Sequence, residues 1–128
     1  MPIVSNPQVM RFIIPVARAK VILILRPYTT EEYAHFMGSR YAMNRLGKLD
    51  DQSMKARIDF VDKLLIGIEA LDKDGQPDYV VYSSGGKEER LTPQVENWTK
   101  YIDASWKVSA GFDLEALVGE IEDNAVKN

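Results

Sequence analysis

The stretch Val21-Ile22-Leu23-Ile24-Leu25 constrains this chain more than any other part of it. Five consecutive branched apolar residues are far too few to span a bilayer. As a strand they put apolar side chains on both faces, so helices or partner chains must cover both. Just upstream, residues 9–16, Val-Met-Arg-Phe-Ile-Ile-Pro-Val, have the same β-branched character, and Ala17-Arg18-Ala19 joins the two segments as a β-hairpin. Pro15 cannot donate to a ladder, which points to an edge position or a bulge near the end of the first strand.

Pro27 ends the second strand, and Thr29-Thr30-Glu31-Glu32 opens a helix, with Thr29 and Glu32 at the spacing of a capping box. The pattern predicts that this helix runs to about Leu46 and stops at Gly47. At about 100° per residue, Tyr33, Phe36, Met37, Arg40, Tyr41 and Met43 gather on one side. Arg40 within that aromatic stripe has two readings. Its stem can lie on the rings while the guanidinium reaches solvent or an acid, or it can anchor an acidic partner. His35 falls on the opposite side, as a surface residue does.

Asp50-Asp51-Gln52-Ser53 is read as the start of a second helix, its acids suited to the positive end of the helix dipole. Met54, Ile58, Val61, Leu65 and Ile68 form one stripe, flanked by Phe60, Leu64 and Leu71. Together they cover roughly 160° of the circumference, wide for a helix with a single buried side. Ile66 lies outside even that stripe. The expectation is a central helix with part of its surface reserved for another chain.

Asp72–Asp78 reads as a polar turn, and Tyr79–Tyr82 with Lys87–Leu91 as a small hairpin around Ser83-Ser84-Gly85-Gly86. Thr92-Pro93 is the expected start of a third helix, with Val95, Trp98, Ile102, Ser105, Trp106 and Ser109 on one face and Gly111 as its stop. Asp113 is the expected cap of a fourth, with Leu114, Leu117, Val118 and Ile121 on its apolar side. The predicted class is α+β and mainly helical: an N-terminal β-hairpin packed with about four helices, and a small second hairpin. One domain spans 1–128, made of a hairpin region at 1–28, a helical region at 29–124 with the hairpin near 79–91, and a frayed tail at 125–128.

Composition narrows the chemistry. The 128 residues contain no cysteine and one histidine, His35, which excludes thiolate chemistry, disulfides and any site needing two histidines. The net charge of −3 argues against broad binding to nucleic acid or anionic membrane. Residues 1–30 nevertheless carry +4, from Arg11, Arg18, Lys20 and Arg26, while the rest carries −7, a polarity that can act within one chain or between copies of a homo-oligomer. The aspartates of 72–78 fail as a calcium loop: with Gly75 at the required glycine, Ala70 and Val81 fall where oxygen ligands belong. Gly85-Gly86 lacks the residues of a phosphate loop, and Ser83 and Ser84 have no base in an identifiable motif. Asp59 and Asp62 have acid–base spacing, but the same spacing is ordinary on a solvated face beside Lys55, Arg57 and Lys63. Trp98 and Trp106 fall on the apolar face while Lys100 and Lys107 point elsewhere, a core pattern more than a single-strand binder. No catalytic, metal or cofactor site emerges, and with no secretion signal in view the expected compartment is the cytoplasm.

The order of elements carries a resemblance. A strand passes into "LRPYTTEEYAHF", a helix ends in "FVDKLLIGIEALDKDG", and a short polar segment leads to "LTPQVENWTKYIDASWK" and an acidic helical tail. Over about residues 20–128 this resembles the small tail assembly chaperones of long-tailed bacteriophages and prophages. The resemblance implies a non-enzymatic protein of the host cytoplasm that binds the long helical tape measure protein, keeps it soluble and helps recruit tail tube subunits. It also implies absence from the finished virion and, in some families, a frameshifted longer product. The expected partner contacts are Tyr33, Met37, Arg40, Tyr41 and Ile66, since Met and aromatic side chains adapt to non-identical partners. Two other classes stay open. One is a structural tail or adaptor protein that adds strands to its neighbours. The other is a small-molecule enzyme with a pocket that includes Arg40 or His35.

Overall fold

The computed structural model describes residues 9–127, with side chains to Val118. The segment 1–8 of the expected hairpin region and Asn128 lie outside it, as do the side chains of Ile121 and of the expected frayed tail. The fold is α+β, with helix and strand in comparable shares. The expectation of a mainly helical chain with four helices is corrected: three α-helices stand among the described residues, and two predicted helical runs turn into strands.

The N-terminal hairpin forms as expected. β1 (Met10–Val16) pairs antiparallel with β2 (Ala19–Leu25), from Met10 opposite Leu25 to Val16 opposite Ala19. The other flank of β2 is taken by β5 (Leu65–Leu71), to which the two-residue β6 (Pro77–Asp78) adds, giving the order β1-β2-β5-β6. β1 is thus an edge strand, where Pro15 costs no ladder hydrogen bond. β2 is interior, which accounts for its two apolar faces. Val21, Leu23 and Leu25 enter the core. Ile22 is also buried, but on the opposite face, where an Arg11–Glu69 ion pair links the two strands that flank β2.

β5 is the main departure from the sequence reading. The second helix, α2 (Ser53–Leu64), ends at Leu64, and the chain enters β5 with no loop between. The 160° stripe was therefore the sum of a helix and a strand. Leu65, Ile68 and Leu71 belong to the sheet, and Ile66 is the extra residue of a β-bulge, since Ile24 faces Gly67 while Leu25 faces Leu65. A Cβ on Gly67 would lie 3.2 Å from Cδ1 of Ile24, which leans over the space the glycine leaves.

The first helix, α1 (Thr30–Ser39), has the expected capping box: Thr29 Oγ1 accepts from the Glu32 amide and Glu32 Oε1 accepts from the Thr29 amide. It stops at Ser39, not at Leu46. A second small hairpin follows, β3 (Tyr41–Met43) against β4 (Leu49–Asp51). Its turn outcompetes the helix through local chemistry: Asn44 Oδ1 accepts from the amides of Leu46 and Lys48, and Gly47 takes φ +74°. The expected hairpin near 79–91 forms as β7 (Val81–Ser84) and β8 (Lys87–Arg90), turned by Gly85 and Gly86.

The predicted third and fourth helices are also redrawn. Thr92 opens turns, not a helix, and Asn97 at φ +56° leads into one 3-10 turn, Trp98–Tyr101. α3 (Ala104–Lys127) then runs unbroken through both Gly111 and Asp113. Its start is capped by Asp103, whose carboxylate accepts from the Ser105 amide at 2.8 Å.

The core lies between the sheet, α2 and α3. Leu23, Leu25, Val61, Leu64 and Leu114 are fully buried, each worth about 1.5–3 kcal/mol of transfer free energy. Phe36 and Phe60 stack at 4.6 Å and attach α1 to α2. Along α2 and α3, Arg57 meets Glu115 and Asp62 meets Lys107, so the two helices run antiparallel.

Gly111 is a close-approach glycine: a Cβ there would fall 2.1 Å from Cγ and 2.7 Å from Cδ of Arg57. Gly111→Ala is expected to lower stability by about 1–3 kcal/mol despite alanine's better helix propensity. In an Arg57→Ala background the same change should become neutral or stabilising. Urea denaturation of the two single variants and the double variant checks both outcomes.

Candidate functional site

α1 and the hairpin that follows it carry four of the five residues singled out from the sequence. Tyr33 is half-buried and stacks on Tyr28 with ring centroids 5.6 Å apart. Met37 is exposed farther along the helix. Arg40 is the C-cap residue, its Cζ 6.0 Å from the Phe36 ring centre and 5.9 Å from that of Tyr41, the exposed first residue of β3. Ile66 is exposed but stands on a different element, in the bulge of β5.

The hairpin adds residues that helical reasoning missed. Met43 lies opposite Leu49, so the two share a face, and Tyr41, two residues before Met43, lies on that face as well. Met43 is 65% exposed, Leu49 67% and Leu46, in the turn, 81%. Met54, at the start of α2, is exposed too. The available signal was the Asn44…Gly47 turn chemistry, which converts a 3.6-residue reading of Tyr41 and Met43 into a period of two. A two-stranded hairpin has little stability of its own. This one is tied down by the Gln52 amide donating to the Arg40 carbonyl at 2.7 Å and by Asn44 donating to Asp50 at 3.1 Å.

The attachment of α1 depends on Arg26 at the end of β2. Its guanidinium donates to both carboxylate oxygens of Glu32, at 2.9 and 2.7 Å, and to the carbonyl of Pro27. These charge-assisted bonds, with the Thr29 amide, hold the Glu32 carboxyl down at about 2.

The other candidate chemistry disperses. Asp62 faces Lys107 at 2.7 Å across the α2–α3 interface, while Asp59 lies in a cleft with His35 and Lys63. That cleft encloses about 60 Å³, well below the roughly 300 Å³ at which small-ligand pockets begin. Lys107 does not point away from the core: it is buried. Arg57 pairs with Glu115, not with the α2 aspartates. In the 72–78 turn, Asp72 Oδ1 accepts from the amides of Asp74 and Gln76, an Asx turn. Among the described residues no group of three His, Cys, Asp or Glu side chains is placed to hold a metal ion. No helix among them is long and apolar enough to cross a membrane. Trp98 and Trp106 pack partly buried against the core. No family model, curated protein or solved structure matches the chain.

Two expectations follow. The folded-state pKa of Glu32 lies below its ordinary value of 4.5, so its stabilising contribution is complete above that value and is lost as pH falls toward about 2. The stability gap between the wild type and Glu32→Gln should therefore narrow from pH 5 to pH 2, as urea midpoints across that range will show. Leu46→Asp and Leu49→Asp, at exposed sites, should each change stability by no more than about 0.5 kcal/mol in the same assay.

Proposed function

We propose that the protein is a non-enzymatic tail assembly chaperone of a long-tailed bacteriophage or prophage. It binds the long helical tape measure protein in the host cytoplasm, keeps it soluble and assists the recruitment of tail tube subunits. The supporting observation is the hairpin of 41–51, which presents Tyr41, Met43, Leu46 and Leu49 to solvent, with Met37 on α1 and Met54 on α2 exposed as well. Flexible methionine and leucine side chains suit a partner whose apolar faces recur without being identical. An amphipathic helix laid along such a face buries its own stripe and exposes its polar side.

A second reading, a structural tail or adaptor protein retained in the particle, draws on β1. That edge strand has no outer strand partner among the described residues and could take up a neighbour's strand. Recovery of the protein from purified virions favours this reading; its absence there favours the chaperone.

Co-expression with a long helical tape measure protein should keep that protein soluble and allow the two to be pulled down together. Met43→Asp/Leu46→Asp/Leu49→Asp should lower recovery at least tenfold while the variant stays folded by circular dichroism. No association and no gain in solubility with the wild type would sink the proposal.

A further inference from the structure

Arg40 differs from the other guanidinium groups withdrawn from solvent among the described residues. Arg26 and Arg57 each engage a carboxylate, Glu32 and Glu115. Arg40 is partly buried between α1 and β3, yet its side chain makes no hydrogen bond or ion pair among the described residues, and its Nε is removed from solvent with no acceptor. That Nε is closed to any partner, so the two Nη groups, which also lack an acceptor among the described residues, are the donors left open to one. Asp51, opposite Tyr41 in the hairpin, feels the Arg40 charge without a hydrogen bond to it, and its Oδ1 accepts from the Ser53 amide at 2.9 Å. Phe36 and Tyr41 flank the guanidinium, which restricts its orientation. A groove next to Tyr41 is lined by Gln52, Lys55 and Asp59, which carry one charge of each sign.

We propose that Arg40 is the receptor for a carboxylate on an amphipathic helix of another protein, whose apolar stripe lies on Tyr41, Met43 and Leu49. The inference rests on the docking reading above and adds the partner's chemistry to it. A planar guanidinium held between rings meets a carboxylate in two parallel hydrogen bonds, a geometry that an ammonium does not reproduce. The spacing agrees as well. Tyr41 and Met43 repeat along the strand at about 6.6 Å, close to the about 6 Å rise between residues i and i+4 of a helix. The occupant is therefore a helix with apolar residues at i, i+3, i+4 and i+7 and a glutamate or aspartate at the edge of that stripe.

The test uses two synthetic 20-residue helices with the same leucine stripe, one with glutamates along its edge and the other with glutamines, titrated by calorimetry. The wild type should bind the glutamate peptide about tenfold more tightly. Arg40→Gln should abolish that ratio, Arg40→Lys should restore it only in part, and Met43→Asp should weaken both peptides alike. Equal affinity of the wild type for the two peptides, or a ratio unchanged in folded Arg40→Gln, overturns the inference and leaves the apolar docking reading standing. Binding of neither peptide overturns both. Arg40-dependent binding to phosphatidylglycerol vesicles without preference between the peptides also overturns it, because the anion recognised would then be a lipid headgroup.

Discussion

The other elements of the fold depend on hiding β2 twice. Its core-facing side chains Leu23 and Leu25 keep no exposed surface, and Ile22, on the opposite face, is buried as well. A strand apolar on both faces needs a neighbour on each edge and a cover on each side. β1 takes one edge through the shortest possible connection. β5 takes the other, and α2, from which β5 emerges without a loop, covers the core side through Val61 and Leu64. Arg26, one residue past the end of β2, secures this junction: its amide donates to the Leu64 carbonyl at 2.8 Å, and its guanidinium fastens the start of α1 through Glu32. The end of one strand thus fixes the α2–β5 junction and the helix that leads to the exposed hairpin.

α3 closes the core by a different kind of contact. Arg57 and Lys107 are both buried charges, and each reaches a carboxylate on the facing helix. Such pairs add little net stability, because desolvation offsets most of their attraction, but stranding either charge costs several kcal/mol. They therefore penalise any other register of α3 on α2. Gly111 lets the Arg57 stem lie against the α3 backbone, and the guanidinium sits 4.0 Å from the centre of the Phe112 ring.

Local signals in the sequence were readable where the structure is local. The N-terminal hairpin, the edge position of Pro15, the Thr29–Glu32 capping box and the Gly85-Gly86 turn all follow from residues a few positions apart. The failures share a cause: apolar runs whose spacing fits two periods. Leu64–Leu71 continues the α2 stripe at 3.6 residues, but the unfilled edge of β2 decides in favour of a strand, and no local signal announces that edge. Tyr41-Ala42-Met43 suits a helix by propensity, yet the Asn44–Gly47 turn pulls it into a hairpin. Gly111 looks like a helix stop because its real reason, the Arg57 stem, lies 54 positions away in the chain. The candidate surface was legible in the same measure. Met37, Arg40 and Tyr41 were singled out because they lie along α1 and its exit. Met43, Leu46 and Leu49 were hidden in a helix that does not form, and Ile66 was singled out from helical geometry that the bulge replaces.

The division of labour is a rigid scaffold built on β2 and an apolar hairpin closed at its base by the Gln52–Arg40 backbone hydrogen bond and within itself by Asn44 and Asp50. Hydrogen exchange, measured with and without the helical tape measure protein proposed as partner, tests that division most directly. In the free protein the amides of β2 and β5 should exchange slowest and those of 41–51 fast. On binding, protection should rise at 41–51 and at the end of α1 while the sheet stays as it was. Protection that appears on β1 instead, or a hairpin that exchanges as slowly as β2 before any partner is added, would contradict the account.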